Sequence, residues 1–180
     1  MTNKRYAKSI KFDDDMLLDN NFSELLLSLD NKIHSGEFKV TVYGLGHVGS
    51  PIAAAWLRAG ASVIGVDKSK LILHNAREGK THIPEPGVSD AYENGLNNKK
   101  FFVYDDLVKA SQDSFLKMIC VPVLAADGTA ELSAVKNVAT AIGKGLKKND
   151  VVTLNPSVPP GTTEDVVIPI LQKQSHLTVE

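Results

Sequence analysis

The sequence predicts an α/β domain, a doubly wound parallel sheet with helices on both faces, preceded by an N-terminal amphipathic helix. Two observations carry that expectation. From Lys39 onward, short apolar runs alternate with longer stretches of helical periodicity, and parallel strands need a crossover of that length between them. A glycine-rich turn also joins the first apolar run directly to the first long helix.

The elements follow in order. Residues 1 to about 20 are polar, with Asp13, Asp14 and Asp15 in a row, and read as a loose arm. Asn21 and Glu24 have capping-box spacing. Phe22, Leu25, Leu26, Leu29 and Ile33 then share one helical face, and Gly36 supplies a left-handed stop. This helix precedes the first strand, so it either packs on the domain, over an open edge, or meets a partner. Residues 1–36 are thus an appendage to a domain spanning 37–180. Strands are expected at Val40–Tyr43, Ser62–Val66, Phe101–Tyr104, Leu116–Val121 and Val151–Leu154. Helices are expected at Val48–Ala59, Ser69–Glu78, Ser89–Gly95, Ser133–Leu146 and Thr162–Gln172. Gly60 and Gly79 close two of these helices, Thr81–Gly87 is a proline-bearing loop, and Pro159-Pro160-Gly161 is a turn. His176–Val179 reads as the opening of a sixth strand, which suggests a truncated chain.

Composition narrows the class. A chain of 180 residues, 43% hydrophobic and 23% charged, suits one core with appendages. A net charge of −1 argues against nucleic acid as a partner, which would call for a basic excess. No apolar run approaches the roughly 20 residues of a membrane span, and Met1–Asp15 lacks the apolar core of a signal peptide. A single cysteine forbids an internal disulfide and suits a reducing, cytoplasmic setting. The five histidines show no metal-ligand spacing, so no metal is expected. Cys120 ends an apolar strand with no histidine near it in sequence, and reads as a buried structural thiol rather than a nucleophile. Glu85 reads as a loop carboxylate, and Lys144, Lys147 and Lys148 as a solvated helix end.

The chemistry sits in Gly44-Leu45-Gly46-His47-Val48-Gly49, a match to G-x-G-x-x-G. Three glycines at this spacing are weak evidence alone. Here they follow an apolar strand, open a helix, and precede an acid, Asp67, by 23 positions at the end of the next strand. That is the Rossmann-type setting of a dinucleotide site. Gly44 permits the tight turn, Gly46 lets amides approach a pyrophosphate, and Gly49 lets helix and strand pack closely. The helix N-terminus offers unpaired N–H groups and the positive end of its dipole. Pro51 falls in the first turn, where a missing N–H is harmless. Asp67 is expected to accept the adenosine ribose hydroxyls and to repel a 2′-phosphate, which favours NAD over NADP. Lys68 beside it belongs to the same site and softens that repulsion.

Four segments together resemble a known family. Gly-Leu-Gly-His-Val-Gly-Ser-Pro (44–51), His-Ile-Pro-Glu-Pro-Gly (82–87), Ile-Cys-Val-Pro (119–122) and Ser-Val-Pro-Pro-Gly-Thr-Thr-Glu (157–164) occur in the order seen in UDP-glucose and UDP-N-acetylmannosamine dehydrogenases, the nucleotide-sugar 6-dehydrogenases. The resemblance runs from about Lys39 to the end. It implies NAD as cofactor, with the pyrophosphate at Gly46, His47 and Val48 and the ribose at Asp67. It further implies Val121 and Pro122 along the nicotinamide half and Ser157 as a hydroxyl near the nicotinamide. Such enzymes oxidise a UDP-sugar C6 alcohol to the uronic acid in two hydride transfers, through a catalytic cysteine in a later domain. By this resemblance no residue of the present chain is catalytic, central and UDP-binding domains are missing, and the full-length protein is a homodimer. Two positions depart from the pattern. Val123 stands where a threonine hydroxyl is usual, and Asn155-Pro156-Ser157 replaces Glu-Ser-Thr. These changes leave open a second reading, a non-catalytic dinucleotide-binding or assembly module derived from the family.

Overall fold

The computed structural model describes residues 20–126 and 129–178. The N-terminal arm, the side chains of Asn21, Phe22 and Leu25, and Val179 lie outside the described residues. The chain divides into two units, Met1–Asn31 and Lys32–Glu180. Helix α1 spans Asn20–Ser35. Leu26 and Leu29, on the apolar face expected to pack on the domain or meet a partner, are exposed. Ile33 packs against the hydrophobic core of Lys32–Glu180.

Five strands form one parallel sheet: β1 (Lys39–Tyr43), β2 (Ser62–Val66), β3 (Phe101–Tyr104), β4 (Leu116–Ile119) and β7 (Val151–Leu154). Their order is β3-β2-β1-β4-β7. The winding therefore reverses between β1 and β4, and the carboxyl ends of those two strands flank the crevice where open α/β sheets take ligands. Tyr43 pairs with Val66 on one side and Ile119 on the other, so the last residues of β1, β2 and β4 stand level beneath that crevice.

Both faces are covered, as an all-parallel sheet requires. Alternation along β1 sends Val40 and Val42 into one core, with Ala53 and Ala54 of α2 (Gly49–Arg58) and Tyr92 of α4 (Val88–Asn97). Tyr43 points to the other core, with Val135, Ala139 and Ile142 of α6 (Ser133–Gly145) and Leu171 of α7 (Ile168–Ser175). Helix α3 (Lys70–Arg77) starts at Ser69, whose hydroxyl accepts the Ile72 N–H at 3.4 Å.

The structure adds and revises elements. Helix α5 (Leu107–Gln112) was not expected, being only six residues long. Asp106 caps it, accepting the N–H groups of Val108 and Lys109 at 2.9 and 3.0 Å. Strands β5 (Leu124–Ala126) and β6 (Thr129–Glu131) pair antiparallel as a separate hairpin. The expected helix Thr162–Gln172 is a π-helical segment, Thr163–Val167, running into α7. The physical reason is Pro169, which has no N–H to return to Asp165 in an α-helical ladder and is instead placed in the first turn of α7. The sixth strand does not open at His176. That residue caps α7 in the left-handed region at φ 58°, its N–H donating to Gln172, and no strand runs through Leu177 and Thr178.

Candidate functional site

Gly44 leaves β1 at φ +100°, and its N–H donates to Val66 O at 2.7 Å. A β-carbon there would stand 3.0 Å from the Cys120 carbonyl carbon and oxygen, so the turn is pressed against the end of β4. Gly49 is tighter still: its β-carbon would lie 1.8 Å from Gly44 O and 3.1 Å from Val42 Cγ1. Gly46 is the opposite case, with no atom within 4 Å of the position a β-carbon would take. Two of the three glycines are thus dictated by the protein's own packing. The third faces open space.

Helix α2 begins beside that opening with Val48 as its N-cap and no side-chain cap. The first N–H groups of a helix lack intrahelical acceptors, and here no side chain supplies one, although the Ser50 N–H donates to Gly46 O at 2.9 Å. The Ser50 hydroxyl turns inward and donates to Leu45 O at 2.8 Å, stiffening the loop from below. Val48 is half exposed and His47 exposed. Gly46, His47 and Val48 thus form the outer rim of the turn.

Asp67 faces the glycine loop across the ends of β1 and β2. Its Oδ2 accepts the Leu45 N–H and its Oδ1 the Ser69 N–H, both at 2.8 Å. Sequence reasoning missed this second role, in which the acid clasps the loop to the start of α3. Each oxygen keeps a further lone pair for a ligand. Asp67 and Lys68 line a cleft of about 270 Å³ with Tyr43, Gly44, Val121 and Pro122, closed by the first turn of α6. The cleft therefore gathers Gly44, Asp67, Lys68, Val121 and Pro122 of the expected set. Gly46, His47, Val48 and Gly49 form the adjoining loop. Ser157 lies on the exposed stretch after β7 and is not among the residues lining the cleft.

Cys120 is buried, and that burial pushes its thiol up to about 11, which disfavours the thiolate at neutral pH. Tyr43 donates from its hydroxyl to Leu107 O at 3.0 Å, and burial raises its ionisation far above the usual range. Val123 packs against the second core. The Asn155 side chain is engaged by the Thr153 hydroxyl at 2.9 Å. Among the described residues no cluster of three or more His, Cys, Asp or Glu converges to hold a metal.

A glycine turn under an uncapped helix start, open over Gly46 and faced by a carboxylate, fits a dinucleotide in charge and shape. Comparison with known proteins agrees. The sequence model for the UDP-glucose/GDP-mannose dehydrogenase family, NAD binding domain, matches residues 38–180. A GDP-mannose 6-dehydrogenase of Pseudomonas syringae pv. tomato is 33% identical over 138 residues, covering 74% of this chain and 32% of its own length. A UDP-N-acetyl-D-mannosamine dehydrogenase of Campylobacter jejuni is 31% identical over 140 residues, covering 78% and 34%. Among solved structures, a ternary complex of GDP-mannose dehydrogenase from Pseudomonas aeruginosa superposes with a TM-score of 0.73 at 30% identity, covering 77% of this chain and 33% of that one. The chain spans about a third of the length of the relatives it matches.

Proposed function

The chain belongs to the UDP-glucose/GDP-mannose dehydrogenase family and carries its NAD-binding domain, and from that premise we propose how the domain holds its cofactor and what it serves. The amides of Gly46, His47 and Val48 take the pyrophosphate at the start of α2, with Gly44 and Gly49 fixing the turn. Asp67 accepts the adenosine ribose hydroxyls on lone pairs that Leu45 and Ser69 leave free, and Lys68 flanks it. Val121 and Pro122 continue from β4 along the nicotinamide half, and Ser157 offers a hydroxyl near the nicotinamide. The observation that carries this reading is the empty face of Gly46, a glycine that nothing in the protein's own packing demands. Bound NAD supplies the hydride acceptor for oxidation of an alcohol.

The substrate is a UDP-sugar of the glucose or N-acetylmannosamine type, oxidised at C6 to the uronic acid by a homodimeric full-length enzyme in the cytoplasm. Sugar binding and the covalent step belong to the part of the relatives' length that this chain does not span, so the 180 residues alone bind cofactor without turnover. Residues 1–36 form an appendage to the cofactor domain. Among the described residues no helix is long and apolar enough to cross a membrane. The second reading, a non-catalytic module, draws on Val123, a partly buried side chain packed against the core where a hydroxyl is usual.

Titration of the 180-residue chain tests the first reading. NAD should bind about tenfold or more tightly than NADP, because a 2′-phosphate would meet the Asp67 charge at short range. Equal affinities would remove the role given to Asp67. Adding UDP-glucose and NAD should produce no NADH, and measurable NADH would overturn the assignment of the chemistry to a region outside this chain.

A further inference from the structure

The cleft of about 270 Å³ beside the glycine loop lies over the end of β1, between the segment that follows β2 and the segment that follows β4. That volume falls just under the roughly 300–1,000 Å³ of pockets that take a drug-sized ligand. It suits one part of a dinucleotide rather than the whole. Val66, Leu107, Ala134 and Val138 give it apolar walls. Such walls hold a ring, and the few polar groups among them fix its orientation.

Most of those polar groups are already engaged. The Tyr43 hydroxyl donates to Leu107 O at 3.0 Å. Ser133 gives its hydroxyl and its N–H to the Glu131 carboxylate, at 2.6 and 2.9 Å. Asp67 holds the Leu45 and Ser69 N–H groups, and Lys68 can only donate. Asn137 differs. It stands in the second turn of α6, exposed, and lines the cleft. Its carboxamide is uncharged and carries an acceptor and two donors on one planar group.

Adenine presents the matching pattern, a 6-amino donor beside a ring-nitrogen acceptor, which an asparagine amide meets with two hydrogen bonds. The base is attached to the ribose assigned to Asp67, so it is the part of the cofactor that reaches the rest of this cleft. We infer that Asn137 is a specificity-determining residue for the cofactor's base: its carboxamide pairs with the 6-amino group and the adjoining ring nitrogen of an adenine seated between Asp67 and α6. The inference rests on the reading of residues 44–49 and Asp67 as a dinucleotide site, and adds to it the group that recognises the base.

Asn137→Ala in the 180-residue chain removes the amide from an exposed helical position. Alanine is the better helix former there, so the variant keeps its fold. NAD, and the NAD analogue with purine in place of adenine, are titrated by calorimetry into both chains. The analogue lacks only the 6-amino group. The unsubstituted chain should bind NAD about three- to tenfold more tightly than the analogue, the worth of one hydrogen bond. Asn137→Ala should weaken NAD by at least that factor and bring the two ligands within about twofold of each other. A merely structural role would shift both Kd values together and leave their ratio alone. An unchanged ratio in the variant would therefore overturn the inference, as would equal binding of the two ligands by the unsubstituted chain. If the unsubstituted chain binds neither ligand, the dinucleotide reading itself falls, and this inference with it.

Discussion

Replacing Gly46 and Gly49 by alanine, one at a time, should produce opposite defects, although both belong to one motif. At Gly49 the added methyl would begin 1.8 Å from Gly44 O and 3.0 Å from Gly44 C. Contacts to backbone that short cannot be relieved by a side-chain rotation, so the turn must move by about 1 Å or more, and overpacking of this kind costs about 1–3 kcal/mol. For a domain of this size that lowers the thermal midpoint by about 2–12 °C. At Gly46 the methyl meets nothing within 4 Å, and its φ lies outside the left-handed region. Gly46→Ala should therefore leave the midpoint unchanged or raise it slightly, since alanine narrows the unfolded ensemble by about 0.4–1 kcal/mol. Its effect appears only on ligand binding, where the methyl keeps a diphosphate from the amides. Loss of one charge-assisted hydrogen bond, about 1.5–3 kcal/mol, corresponds to about ten- to a hundredfold in Kd. Thermal melts of both variants, with NAD titrated by calorimetry, read the two effects separately. If Gly46→Ala binds NAD like the unsubstituted chain, the diphosphate does not lie over that glycine and the reasoning is wrong.

Two further outcomes follow from the same geometry. Asp67→Ala should reduce the NAD-over-NADP preference to less than about threefold by removing the like charge. It should also lower the midpoint, because the Leu45 and Ser69 N–H groups lose their acceptor; a preserved preference would remove Asp67 from the ribose site. Lys117, fully buried in β4, pairs with Asp150 at 2.5 Å, so Lys117→Met or Asp150→Asn alone should cost about 3–5 kcal/mol by stranding a charge. The double variant should cost less than either single one, and simple additivity in denaturant unfolding would show that the pair is not coupled.

Much of this protein was legible in its sequence because the relevant constraints are local. The strands β1, β2, β3 and β7 fall within a residue of their expected bounds, since an apolar run between turn residues reflects only the backbone's own period. The glycine turn was legible for the same reason: Gly44 needs a positive φ, and that requirement is written at one position. Short or interrupted elements were harder. Helix α5 spans under two turns, and Pro169 altered a helix whose apolar periodicity runs straight through it.

By itself the sequence determined that a parallel α/β sheet would present a glycine turn and an acid at neighbouring strand ends. Tertiary structure alone decided which groups met across long separations. Lys117 interrupts an apolar strand, and nothing near it in sequence announces Asp150. Asp67 gives no local sign that it clasps Leu45. Local patterns encode the dihedral angles and faces of single elements, whereas these partners are set by how whole elements stack, and that depends on the packing of both cores at once.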